Sequence, residues 1–345
     1  MKNKPFFFPF SRVVYCILFS LIIWSSCKTD TNDPSASTTV DAPVQKRFVV
    51  PSFEADTAYQ YIEKQVSFGP RVPNSEAHQA CKNWLIETFK RHDAAVIPQN
   101  FTATAYNKTR LNGTNIIAQY NTKAKKRILL AAHWDSRHLA DSPINDERTR
   151  EPIVAADDGG SGVGILLEIA RHLSEKSPEK LGVDLILFDA EDYGDDNRQS
   201  ANMESWCLGS RYWARNPHIQ GYSAKYGILL DMVGAEGATF PRERKSVRYA
   251  PHLVEMVWKI GQAKGYGNFF VDRSAEVGID DHVPVNKYAK IPMIDIINMN
   301  GETATGFGTH WHTHDDNLDI ISRRTLKAVG QTMLEIIYRE DAGKI

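Results

Sequence analysis

Residues 127–136, Arg127-Ile128-Leu129-Leu130-Ala131-Ala132-His133-Trp134-Asp135-Ser136, pass from an unbroken apolar stretch directly into His133 and Asp135. A strand that is apolar at successive positions has no face to give to water, so it belongs inside a sheet covered on both sides. The same pattern recurs in Thr114–Tyr120, Val183–Asp189, Tyr226–Val233 and Ile291–Ile297. Between these runs the apolar residues fall at helical spacing. Val163, Leu166, Leu167, Ile169, Ala170 and Leu173 stripe a helix from Ser161 to Leu173, and helices are expected over Pro251–Lys264 and Arg323–Tyr338. Two amphipathic helices, Glu54–Phe68 and Ser75–Phe89, precede the first strand, with Phe68-Gly69-Pro70-Arg71 as the stop between them. Strands alternating with helices predict an α/β fold of three layers, α/β/α, around a mostly parallel central sheet. No repeat of fixed period interrupts the pattern, and residues 46–345 read as a single catalytic domain.

The N-terminus has a different character. Lys2, Lys4 and Arg12 precede an apolar run from Val13 to Trp24 that is short for a bilayer span and suits the core of an export signal. Ser25-Ser26-Cys27 ends it like a bacterial lipobox, so residues 1–27 read as a signal peptide, with Cys27 as a site of lipidation. Residues 28–45 are polar and rich in Ser, Thr and Pro, a composition that cannot collapse, and read as a flexible tether. The expected location is the periplasm or cell envelope, with the domain held to a membrane as a lipoprotein. Cys81 and Cys207 are then left for the domain; they could pair in an oxidising compartment, but two cysteines make no disulfide framework, and their pairing stays open. The formal net charge of −1 gives no reason to expect nucleic acid as a partner. The glycine signatures of dinucleotide and nucleoside triphosphate sites are absent.

In an open α/β sheet, ligands bind beyond the carboxyl ends of the strands. Here those ends are charged: His133-Trp134-Asp135, Asp157-Asp158 before a helix, Asp189-Ala190-Glu191-Asp192, Asp231, Asp280-Asp281-His282 and His310-Trp311-His312. A single aspartate at a helix start is a capping device. Five or more converging acidic clusters would repel one another without a cation, and imidazole with carboxylate oxygen is a ligand set suited to zinc. The rival, magnesium or manganese for phosphate chemistry, makes poor use of the histidines.

The strings HWDS, ADDGGSG, FDAED, LLDMVGA, DDHVPV and WHTHDDN occur in the order and approximate spacing of the co-catalytic zinc aminopeptidase superfamily, and the set most closely resembles its glutaminyl cyclase branch. The resemblance runs from about Phe48 to the C-terminus. It implies one Zn²⁺ per chain held by Asp158, Asp192 and His312, with Glu191 as general base and acid. The family commonly carries Glu-Glu where this chain has Glu191-Asp192. Counterparts of Asp231 and Asp280 form an acidic network around the base, and Trp206 or Trp311 wall the substrate pocket. The resemblance also implies a cis peptide at Asp158-Gly159. The implied reaction closes an N-terminal glutamine of a peptide or exported protein into pyroglutamate, releasing ammonia. The alternative is an exo-aminopeptidase with a second zinc at His133 and Asp231; a silent binding protein on the same fold would be expected to have lost part of this set. Asp135 is read as organising a loop or orienting His133, His282 as steadying the Asp280-Asp281 loop, and His310 and His314 as solvent-facing, with no role.

Overall fold

In the computed structural model, which describes residues 48–144, 150–196, 202–301 and 303–345, the central strands divide their apolar side chains between two faces. Helices α1 (Ala55–Val66) and α2 (Glu76–Arg91) come first, then strands β1 (Ala95–Thr104), β2 (Arg110–Tyr120) and β3 (Lys126–His133). Helix α3 (Gly160–Glu175), β4 (Leu181–Phe188), α4 (Leu208–Arg215) and β5 (Gly227–Asp231) follow. The remainder is β6 (Phe240–Glu243), α5 (Arg244–Tyr249), α6 (Pro251–Gly261), β7 (Phe270–Ala275), the single turn α7 (His282–Pro284), β8 (Met293–Ile297) and α8 (Arg323–Asp341).

The main sheet has the order β1-β2-β4-β3-β5-β8. The contacts β4–β3, β3–β5 and β5–β8 are parallel, while β1 and β2 join antiparallel at one edge. Successive side chains of a strand point to opposite faces. Ile128, Leu130 and Ala132 therefore pack with α1, α3 and α8, while Leu129 and Ala131 pack with Trp213 of α4 and Val285. Burying each such Leu or Ile contributes about 2 kcal/mol, so a charge on either face of β3 would be severely destabilising. This is the three-layer arrangement expected from the strand pattern. Val49–Ile345 forms one compact unit.

Differences from the sequence reading have local causes. The run Tyr226–Val233 yields only β5, because Met232 turns out of the ladder with φ +47°. The helix expected to Lys264 is α-helical to Gly261, then widens into a π turn, with Gly265 left-handed at φ +89°. The Asp158-Gly159 peptide is trans, as are all others among the described residues; the tight geometry there is carried by Gly159 at φ +82°. Cys81 and Cys207 are free and buried. The export segment, Cys27 and the tether lie outside the described residues. Among those described, no helix is long and apolar enough to cross a membrane.

Candidate active site

Because β3, β4, β5 and β8 are parallel, their carboxyl ends share one rim. The loops leaving that rim bring Asp158, Asp192 and His312 together, each with a ligand atom within 4.8 Å of the others, and all three buried. His312 Nε2 lies 3.1 Å from Asp192 Oδ1 and 3.8 Å from Asp158 Oδ2. Both carboxylate oxygens of Asp192 are buried and complete no hydrogen bond, with His312 Nε2 and the Arg137 guanidinium, 3.7 Å from Oδ1, the charged groups beside them. Orphaned charged atoms cost several kcal/mol unless a cation meets them. A nitrogen and two carboxylates are a donor set for zinc with a position left open. The residues thus fit the metal that the strand ends suggested.

Two further aspartates brace the ligand loops. Asp135, just beyond β3, accepts from the N–H groups of Glu191 and Asp192, both at 3.1 Å. Asp316 accepts from the N–H groups of Asp157 and Asp158 at 2.7 and 3.0 Å. Each buried carboxylate holds a ligand-bearing backbone by its two oxygens. Asp135 is therefore a loop organiser, one of the two roles anticipated for it. Gly159 completes the Asp158 turn, where an added Cβ would sit 2.7 Å from His133 Cε1. Behind His312, Asp141 lies 3.3 Å from Nδ1 and also accepts from Arg137 Nε and Nη2. Such a carboxylate fixes the ring so that Nε2 faces Asp158 and Asp192.

Glu191 lines a cavity of about 350 Å³ with Trp206, Asp231, Asp280, Phe307 and Trp311. Burial pushes its carboxyl well above the ordinary range; Asp281, Asp192 and Asp280 add to this and His133 opposes it. Burial likewise raises Asp280 well above the range, assisted by Asp231 and Asp281. Trp311 stacks on His312 at 3.8 Å between centroids, and Trp206 lies near-parallel to the same ring at 6.1 Å. Trp206 also receives the Arg137 guanidinium, 4.7 Å from its ring.

His133 Nε2 is 2.9 Å from Asp158 Oδ1 and 3.3 Å from Asp231 Oδ1, and these three form a second possible ligand group that shares Asp158 with the first. His310 is not solvent-facing as its alternate spacing suggested: it is buried, with Nε2 3.0 Å from Asp157 Oδ2, so it supports the Asp157-Asp158 turn. His314 is partly exposed. His282 is fully buried between Glu243 and Asp295, its ring nitrogens 3.3 and 3.8 Å from their carboxylates. Nothing in the motifs singles out Asp141, Glu243, Asp295 or the contact of Cys207 with Glu191. Asp141 carries no signal of its own, whereas Asp295 interrupts an apolar strand and was readable on that ground.

The chain matches the model of peptidase family M28 over residues 115–337. It is similar to a crystal structure of Bacteroides thetaiotaomicron glutaminyl cyclase bound to N-acetylhistamine: 49% identity, TM-score 0.81, covering 84% of this chain and 99% of that one. A Zn-dependent exopeptidase from Parabacteroides distasonis gives 50% identity and a TM-score of 0.82 at the same coverage. Among curated proteins, glutaminyl-peptide cyclotransferase of Drosophila melanogaster is 24% identical over 283 residues, 74% of this chain and 73% of that protein. The fold, the buried Asp-Asp-His group at the sheet rim and a family match spanning most of the chain agree, and the chain belongs to peptidase family M28.

Proposed function

We propose that this chain is a glutaminyl-peptide cyclotransferase: it converts an N-terminal glutamine of a peptide or protein to pyroglutamate and releases ammonia. The observation that carries the reading is the buried Glu191 beside the Asp158, Asp192 and His312 group, lining one cavity with two tryptophans. The similarity to glutaminyl cyclases over nearly their whole length supports it.

Cyclisation needs no external nucleophile, since the substrate's α-amine attacks its own γ-amide carbonyl. The protein's task is to fold one side chain back on itself and to move one proton. Asp158, Asp192 and His312 would hold a single zinc ion, whose contribution when bound is Lewis acidity toward the γ-carbonyl oxygen. Glu191 takes the proton from the attacking amine and returns it to the departing ammonia, and a carboxyl raised by burial is suited to do both. Asp231 and Asp280 supply neighbouring carboxyls that share protons with Glu191 and keep negative charge from accumulating there. Trp206 and Trp311 wall the glutamine pocket and exclude water, which would otherwise compete as a nucleophile. The substrates are peptides or exported proteins with N-terminal glutamine. The domain is exported and held to the cell envelope through Cys27.

The test is incubation of the purified protein with a peptide beginning Gln-Ala and another beginning Leu-Ala, read by mass spectrometry, with zinc counted per chain. Loss of one ammonia from the first peptide only, with about one zinc per chain, is the expected result. Release of a free amino acid, with two zincs, would instead assign an aminopeptidase using the His133 and Asp231 group.

A further inference from the structure

One side chain that touches Glu191 belongs to none of the motifs above. The Cys207 thiol donates to Glu191 Oε1 at 3.2 Å, and Cys207 is fully buried. It is the N-cap of α4, with φ +59° and ψ +40°. That left-handed conformation crowds the Cβ of an L residue against its own backbone and is ordinarily left to Gly or Asn. An N-cap side chain usually turns back to accept from the free N–H groups of its helix. Cys207 makes no such bond, and its side chain is aimed at Glu191 instead.

The backbone reinforces this aim. Cys207 N–H donates to the Glu191 carbonyl and Leu208 N–H to the Ala190 carbonyl, both at 3.0 Å. The start of α4 is pressed so closely on this loop that a Cβ at Gly209 would lie 2.2 Å from the Asp189 carbonyl oxygen. Glu191 and Cys207 are thus joined twice, through main chain and through side chains. Burial, with Glu191, Asp281 and Asp280 nearby, pushes the thiol well above its ordinary range, so the sulfur keeps the proton that it donates to Glu191.

We infer that Cys207 is a positioning residue for the base: it fixes the plane of the Glu191 carboxylate by one oxygen and leaves the other for the substrate amine in the cavity. The inference rests on Glu191 being the base. A thiol is a weak donor, so it orients the carboxylate without binding it as tightly as a hydroxyl or a cation would.

The experiment compares Cys207→Ala, Cys207→Gly and Cys207→Ser in the purified protein for kcat, KM, zinc content and melting temperature. Ala and Gly are expected to lower kcat roughly five- to tenfold, the loss of about 1 kcal/mol of orienting interaction, with KM and zinc unchanged. Ser, which restores a donor, is expected to recover most of the loss. Gly suits the left-handed backbone, so its kcat falls without a matching fall in melting temperature even if Ala is unstable. Unchanged kcat in Ala and Gly, a Ser variant as poor as Ala, or a change carried by KM alone would each overturn the inference. Glu191 serves as base in cyclisation and in peptide hydrolysis alike, so the kcat ratios are read on whichever peptide the wild type turns over. A wild type that releases leucine therefore refutes the cyclase reading while still judging Cys207.

Discussion

Two buried polar clusters sit at opposite ends of the same parallel strands, and they treat charge in opposite ways. Near the amino ends, Asp184 of β4 accepts from Arg127 Nε and Nη2, Gln119 Nε2 and Tyr222 OH, at 2.8, 2.6, 2.9 and 2.6 Å. Four donors meet the four lone-pair directions of one carboxylate, and nothing is left over. At the carboxyl ends, Asp192 Oδ1 and Oδ2, Asp231 Oδ1 and His312 Nδ1 lie within ion-pair distance of charged neighbours or deep in the cluster, yet none completes a hydrogen bond. The carboxylates of both clusters, Asp184 and Asp192, are buried, so burial does not distinguish structure from function here. Satisfaction does: a cluster that the protein completes by itself holds the fold, and one left incomplete awaits a ligand.

The largest effect should come from the incomplete rim. Glu191→Gln keeps the shape of the side chain and its N–H bond to Asp135 but cannot accept the amine proton. Turnover of a Gln-Ala peptide should fall by roughly 10²- to 10⁴-fold, with zinc content unchanged. An enzyme within tenfold of wild type would refute the role given to Glu191. In the complete cluster, Asp184→Asn leaves Arg127 buried without its counter-charge, and stability should fall by about 3 kcal/mol in urea titration. The surviving folded protein should retain wild-type kcat/KM, since the cluster lies at the other end of the strands. If activity fell more than stability, the contrast between the two ends would be wrong.

That contrast was partly legible without coordinates. Polar residues at the ends of apolar runs, as in Leu230-Asp231, announce themselves, and the sheet follows from the same runs. The strand β1 did not, because its exposed alternate positions and Pro98 look like a loop, and it lies at an edge where only one side pairs. The braces Asp135 and Asp316 sit inside recognisable strings, but their work of holding backbone N–H groups 56 and 159 residues away depends on how the loops cross. Cys207 is harder still, since its role depends on a left-handed φ that a cysteine does not advertise. Residues that act through long-range backbone geometry leave little trace in local pattern.

Asp141 sharpens the comparison at the next level of size. It connects the two kinds of behaviour, accepting two bonds from Arg137 while facing His312 Nδ1. Burial alone would raise its carboxyl, but His312 and Arg137 outweigh burial and hold it below the ordinary carboxylate range. Asp141→Asn should weaken zinc binding by roughly 10- to 100-fold in chelator competition, because the ring loses its orienting charge but keeps its ligand atom. Unchanged affinity would mean that Asp141 serves Arg137 alone.

The smallest effect tests a cluster that lies between the extremes. Glu243 is satisfied, accepting from the N–H groups of Lys245 and Ser246 at 2.9 and 2.6 Å beside His282. Asp295 and both nitrogens of His282, next to it, have no hydrogen-bond partner. Burial would raise the Glu243 carboxyl, but His282 and the two backbone donors prevail and hold it at about 2, below its ordinary 4.5. A carboxyl depressed in the folded state contributes its full stability above the unfolded value and loses it as pH falls toward the folded one, so the window is pH 4.5 down to 2. Between pH 5 and pH 3, Glu243→Gln should remove on the order of 1 kcal/mol from the acid-induced loss of stability, measured as the shift of the urea midpoint in each protein. A slope equal to wild type would show that Glu243 already carries a proton shared with His282 or Asp295. The cluster would then belong with the unsatisfied rim, and the line between completed and incomplete charge would run behind Asp280 rather than through it.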